Sequence, residues 1–308
     1  MAEYEVKRVL DIKAKLGECP VWSVEEQMLY WVDIEGQTVN RFDPASGHNQ
    51  SWDVPGRPGC LALREDGSAI VAAQHGIYVI DFDTGVLTKI VEPPFDGETM
   101  RFNDGQVDRQ GRLWVGSMII DFRNMQPDKA VMYCLDGTTL SPKIAPITVA
   151  NGTAFSPDGR VMYRAESERH EILAYDLDPE TAQLSNERVF ARMPEEIGMP
   201  DGATVDSEGA YWTAAPNPYK AGVNGSIVRF TPDGIIDLRI ETPIAAPTMV
   251  AFGGPSMSTL YVTSVADELI GLPNPSPLSG NLFAIETTFT GIPHTKVPVH
   301  DRVSAGAA

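Results

Sequence analysis

The sequence predicts an all-β fold, a six-bladed β-propeller with four-stranded antiparallel blades. Three observations lead there: short β-rich runs recur at near-constant spacing, polar turns punctuate them, and no long segment carries a clean 3.6-residue apolar period. The runs are Leu29-Tyr-Trp-Val32, Ala69-Ile-Val-Ala72, Leu113-Trp-Val-Gly116, Met162-Tyr-Arg-Ala165, Tyr211-Trp-Thr-Ala214 and Leu260-Tyr-Val-Thr263. Their second residues, Tyr30, Ile70, Trp114, Tyr163, Trp212 and Tyr261, are separated by 40, 44, 49, 49 and 49 positions. Such intervals are typical of propeller blades.

Each repeat then resolves into its strands. Ahead of four runs stands a polar-glycine pair, Asp66-Gly67, Gln110-Gly111, Asp158-Gly159 or Glu208-Gly209; glycine supplies the positive φ that a tight hairpin needs. Behind most runs comes another strand that ends in a polar turn. Examples are Thr38 to Asp43 before Pro44, Ile77 to Asp81 before Thr84-Gly85, Ile172 to Asp176 before Pro179, and Ser226 to Phe230 before Pro232. Asn281 to Ile285 is the last of them. The unit therefore reads strand, turn, strand, loop, strand, turn, strand. Ser185 to Met193 is the one stretch compatible with a helical turn. Six such units close into a ring without long open edges. No linker divides the chain, so a single domain is expected over residues 1–308, with blade cores about 14–290 and a frayed tail of small residues at 303–308.

Composition narrows the partners. The formal net charge is −18, with 24 Lys and Arg against 42 Asp and Glu. A nucleic-acid partner is excluded, because phosphate binding needs clustered cations. No stretch approaches the roughly 18 apolar residues of a membrane span, and Met1 to Arg8 lack an apolar signal-peptide core. Cys19, Cys60 and Cys134 have no paired spacing; an odd, sparse set fits the reducing cytoplasm, the expected location.

In a propeller the innermost strand of every blade lines one central channel, so equivalent positions in different blades face the same axis. Glu18 precedes Tyr30 by 12 residues, Asn103 precedes Trp114 by 11, Asn151 precedes Tyr163 by 12 and Asp201 precedes Trp212 by 11. Cys60 and Thr248 hold the corresponding places in the other two units, 10 and 13 before their anchors. Singly, Asn-Gly and Asp-Gly pairs are common turn dipeptides. Four oxygen-bearing side chains in register read instead as a site. Two carboxylates and two amides in a partly enclosed channel call for a cation. Oxygen ligation suits one divalent ion, Ca²⁺, Mg²⁺ or Mn²⁺, with Zn²⁺ or Fe²⁺ open as well. Asp104 reads as a turn cap and Cys19 as a small filler. The five His, at 48, 75, 170, 294 and 300, share no blade position and read as surface or loop residues.

At these residues the chain resembles the regucalcin/gluconolactonase family, also called the senescence-marker-protein family. The motifs are Leu16-Gly-Glu-Cys-Pro-Val-Trp22, Arg101-Phe-Asn-Asp-Gly105, Gly111-Arg-Leu-Trp-Val-Gly116, Asn151-Gly-Thr-Ala-Phe-Ser-Pro-Asp-Gly159, Pro200-Asp-Gly202 and Val250-Ala-Phe-Gly-Gly254. They stand in family order over roughly residues 14–285. The resemblance implies a six-bladed propeller that opens sugar lactones with one divalent metal. It places the metal ligands at Glu18, Asn151 and Asp201 and substrate contacts at Arg101 and Asn103, with Asp121 where many relatives carry a substrate-binding acid. Departures are Phe102 for a usual Pro, Cys19 for a usual Gly, and Glu166 for a common Asp.

The expected function is metal-dependent hydrolysis of a small-molecule sugar lactone, such as a glucono- or pentonolactone, to the aldonic acid in carbohydrate catabolism. Asp201 would be the general base and the metal the Lewis acid. No G-x-S-x-G nucleophile elbow is present. Two alternatives stay open: a related propeller hydrolase acting on phosphotriesters or aryl esters, and a non-catalytic propeller that binds a metal or ligand.

Overall fold

The fold was examined in a computed structural model, which describes residues 4–299 except 125, 128, 219–221 and 273–274, and the side chain of 122. The expected tail at 303–308 and His300 lie outside the described residues.

Six four-stranded antiparallel sheets are present. Blades 1 to 6 begin, in chain order, with the inner strands Gly17–Ser23, Pro58–Leu63, Met100–Val107, Asn151–Phe155, Ala203–Val205 and Pro247–Gly253. Each inner strand touches the inner strands of the blades on either side, and the sixth touches the first, so the ring is closed. Blades 1 to 5 each use four consecutive strands. Blade 6 does not: its outermost strand is Val6–Leu10, from the start of the chain, antiparallel to Leu282–Glu286. The first and last strands thus share one sheet. The expected turns are present, with Gly67, Gly111, Gly159 and Gly209 all at positive φ of 70° to 85°.

The repeated aromatics explain themselves at the blade interfaces. Tyr30 of blade 1 meets Phe82 of blade 2 at 4.9 Å between ring centroids. Tyr163 of blade 4 meets Tyr211 of blade 5 at 5.4 Å, Trp212 meets Phe252 of blade 6 at 5.5 Å, and Tyr261 stacks on Trp22 of blade 1 at 5.5 Å. Each such pair contributes about 1 kcal/mol beyond the area it buries. The period in the sequence is therefore the period of blade-to-blade packing. One expectation fails: the segment read as helix-compatible forms the outer strand Leu184–Arg192, because pairing with Glu171–Leu177 satisfies backbone groups that one isolated turn would leave open. The single α-helical segment among the described residues is the short turn Asp267–Ile270, and no helix there is long and apolar enough to cross a membrane.

A strap from residues 290–297 closes one end of the channel. Ser207 donates from its backbone to Thr290 O at 2.8 Å, and Asp206 bridges Gly291. Val297 donates to Leu63 O at 2.9 Å and bridges Arg64. The strap runs from blade 5 to blade 2, on opposite sides of the ring. Between those anchors His294 faces Cys19, Gly105, Gln106 and Met249. The strap thus lies across the channel at the end away from the starts of the inner strands, and we refer to the other end as the mouth of the well.

Candidate active site

The mouth of this well is where the inner strands are irregular. Register breaks fall between Glu18 and Val21, Pro58 and Cys60, Phe102 and Gly105, Asn151 and Ala154, and Pro247 and Val250. A bulge bends its strand and re-aims the side chain beside it. In blade 5 the inner strand starts only at Ala203, and Asp201 lies just ahead of it, its backbone held by Ala214 O at 2.9 Å. Gly152 adopts φ +59°, and a Cβ there would stand 2.3 Å from the Tyr211 hydroxyl, which donates to Gly152 O at 2.7 Å. Only glycine meets both demands. Cys19, where the family usually has Gly, takes φ +48° as a non-glycine residue. It is buried, and its sulfur accepts from Leu61 N at 3.3 Å.

A hydrogen-bonded relay joins blades 3, 4 and 5. Arg101 Nη1 donates to Asn103 Oδ1 at 2.6 Å and to Phe102 O at 2.9 Å. Asn103 Nδ2 donates to Ala150 O and to Asn151 Oδ1, both at 2.8 Å. Asn151 Nδ2 donates to Ser167 Oγ at 3.1 Å, and Ser167 donates to Pro200 O, next to Asp201, at 2.7 Å. Each amide is pinned at both ends, which sets which atom faces the well. Ser167 and Thr213, whose hydroxyl donates to Asp201 O at 3.1 Å, were not legible as site residues; neither sits at the repeat offset.

Asp104 is a correction to its reading as a turn cap. It is buried, its Oδ2 accepts from Thr153 N of blade 4 at 2.7 Å, and its Oδ1 has no partner among the described residues. The bulge turns it toward the neighbouring blade. Asp121, by contrast, stands exposed beyond strand Leu113–Ile119 and apart from the relay. Its carboxylate accepts from Arg123 N at 3.2 Å and Asn124 Nδ2 at 2.8 Å. Cys60 is buried in the apolar core, and Thr248 donates to Gly17 O at 2.5 Å, so neither presents a ligand to the well.

The acids interact strongly. Burial, then the charges of Asp201 and Asp104, holds Glu18 well above the usual carboxylate range. Burial, then Asp104, pushes Asp201 up to about 8. Burial pushes Asp104 up to about 6 despite the Thr153 amide. Burial also pulls Arg101 down to about 10, against the pull of Glu35 and Glu18 and with a contribution from Arg57. Three carboxyls close enough to perturb one another, one with an orphaned buried oxygen, fit a site completed by a cation. Among the described residues no three His, Cys, Asp or Glu side chains converge as a metal cluster; the candidate donors are two carboxylates and the Asn151 amide oxygen.

Comparison with known proteins identifies the family. The family model described as SMP-30/Gluconolactonase/LRE-like region matches residues 16–266. A 6-deoxy-6-sulfogluconolactonase of Pseudomonas putida is 38% identical over 93% of this chain and 96% of its own length. A pentonolactonase of Haloferax volcanii is 33% identical over 96% and 98%. Among solved structures, regucalcin of Agrobacterium tumefaciens, described as a calcium-binding protein, superposes with a TM-score of 0.86 at 26% identity, covering 97% of this chain and all of that one. The propeller, the ordered motifs and the match over most of its length place this chain in the SMP-30/gluconolactonase/LRE-like family.

Proposed function

We propose that the protein hydrolyses a sugar lactone to its acid in the well, with Glu18, Asn151 and Asp201 holding one divalent cation. The observation that supports this most is the relay Arg101–Asn103–Asn151–Ser167, which ties the proposed substrate-binding pair to Asn151, with Glu18, Asp104 and Asp201 near enough to raise one another's pKa. The lactonase relatives support the reaction class. When bound, the cation would act as a Lewis acid toward the lactone carbonyl.

The chain's own residues do the rest. Arg101 and Asn103 orient the sugar through its hydroxyls, with Asp121 the outermost contact at the mouth. Asp201 takes a proton from the attacking water as the water oxygen bonds to the carbonyl carbon. The ring C–O bond then breaks, and that proton passes to the departing ring oxygen, which becomes a hydroxyl of the product. Three buried, unpaired thiols fit a reducing compartment, and the cytoplasm is the proposed location.

The test is acid release from a panel of aldonolactones, followed with a pH indicator. It uses chelator-stripped protein alone and with each of Ca²⁺, Mg²⁺, Mn²⁺, Zn²⁺ and Fe²⁺. Cation-dependent release well above the spontaneous rate is expected. No acceleration by folded protein with any cation would overturn the reading.

A further inference from the structure

The rim of the well carries a second guanidinium that the reaction itself does not use. Arg57 stands immediately before the inner strand of blade 2, at the mouth end. Its Nε donates to Glu35 Oε1 at 2.7 Å and its Nη1 to Gln74 Oε1 at 3.2 Å. Gln74 is itself fixed, since its Nε2 donates to Gly97 O at 2.7 Å. Arg57 keeps about a quarter of its side chain exposed, 27%.

The neighbouring strands bring it to Arg101. Two residues beyond Arg57, a Cβ on Gly59 would stand 2.4 Å from Phe102 O, the same oxygen that accepts from Arg101. Arg101 is 5% exposed, is hydrogen-bonded only to neutral oxygens, and has a buried Nε with no partner among the described residues. Two guanidiniums share this corner with Glu35, and Arg101 also feels the charge of Glu18, one of the proposed cation ligands. In a chain of net charge −18, two arginines this close, held by fixed partners, are a local concentration of guanidinium donors. Guanidinium forks of this kind suit an oxyanion better than a sugar hydroxyl.

We propose that Arg57, beside Arg101, is a specificity-determining residue that binds an anionic group on the lactone, a sulfonate, phosphate or carboxylate remote from the carbonyl. This rests on the lactonase reading above. Glu35 orients Arg57 and competes with the substrate's anion for it, which keeps the empty corner from trapping every passing anion.

The experiment measures kcat/KM for D-gluconolactone and for the same lactone carrying a 6-phosphate, a 6-sulfonate or a 6-carboxylate, on the cation-loaded enzyme. The native enzyme should favour at least one anionic lactone by about tenfold or more, the size of a charge-assisted contact. Arg57→Gln should cut that charged-to-neutral ratio about tenfold, Arg57→Lys should restore part of it, and Glu35→Gln should raise it. The KM of the favoured lactone should climb with added salt. Which anion gains most identifies the substituent. Equal kcat/KM for all four lactones, or a ratio that Arg57→Gln and Glu35→Gln leave alone, would overturn the proposal while leaving lactone hydrolysis standing. Failure to open any of the four would instead count against the lactonase reading itself.

Discussion

Blades 3 and 5 each carry two aspartates a few residues apart, one at the hairpin end and one in the well, and the two kinds behave oppositely. At the hairpin end, Asp108 Oδ1 accepts from the backbone of Gln110 and Arg112, and its Oδ2 accepts from Arg112 Nε at 2.7 Å and Trp114 Nε1 at 2.9 Å. Asp206 does the same with the backbone of Glu208 and Ala210, Trp212 Nε1 at 2.8 Å and Arg229 Nε at 2.9 Å. In the well, Asp104 leaves one oxygen without a partner and Asp201 has no ion pair with Lys or Arg, both among the described residues. A buried carboxylate saturated with donors and an arginine is architecture. One that is unsaturated and crowded by like charge is held there by the rest of the fold, and under the proposed function that cost is met for chemistry.

The largest effect should separate the two kinds outright. Asp201→Ala should lower turnover at least about a thousandfold while thermal unfolding shows no loss of stability, because a repulsive buried carboxyl is removed. Substantial residual turnover would take Asp201 out of the mechanism. Asp108→Ala should do the reverse and cost about 3–5 kcal/mol in denaturant unfolding, since it strands the Arg112 guanidinium.

The next effect is on pH dependence. Without a cation, the folded protein keeps protons on Asp201 and Asp104 up to about pH 8 and 6, whereas the unfolded chain releases them near pH 4. The folded state binds more protons across that window, so the melting temperature of chelator-treated protein should fall as pH rises from 5 to about 8. Adding the cation, or substituting Asp201→Asn, should flatten the slope. A melting temperature that rises with pH in chelator would contradict the crowded-acid picture.

Smaller effects sharpen the boundary of the site. Ser167→Ala frees one end of the Asn151 amide and should weaken cation affinity about tenfold by titration calorimetry, with the fold intact. Asp121→Asn should raise KM only about threefold and leave kcat nearly alone, as suits an exposed rim contact outside the relay. A larger loss there than at Ser167 would move the centre of the site outward.

Much of this was legible in the chain because the repeat turns sequence position into spatial position. Equal offsets before Tyr30, Trp114, Tyr163 and Trp212 select Glu18, Asn103, Asn151 and Asp201 with no structure in hand. The same logic is blind to residues off the offset. Ser167 acts because its strand pair ends beside Pro200, Asp104 because a bulge turns it, and Arg57 because Gly59 lets two strands approach closely. Residues 185–193 misled because local pattern there is weak and cross-strand pairing settles the conformation.

What the sequence by itself determined is the number of blades and the equivalent inner-strand positions at which the polar residues stand, since both follow from a period that packing must honour. What only the tertiary structure decided is how the ring is locked and capped. Val6–Leu10 completes the last blade, and residues 290–297 seal one end of the channel. Both are contacts between segments far apart in the chain, and no local periodicity encodes a hydrogen bond across such a separation.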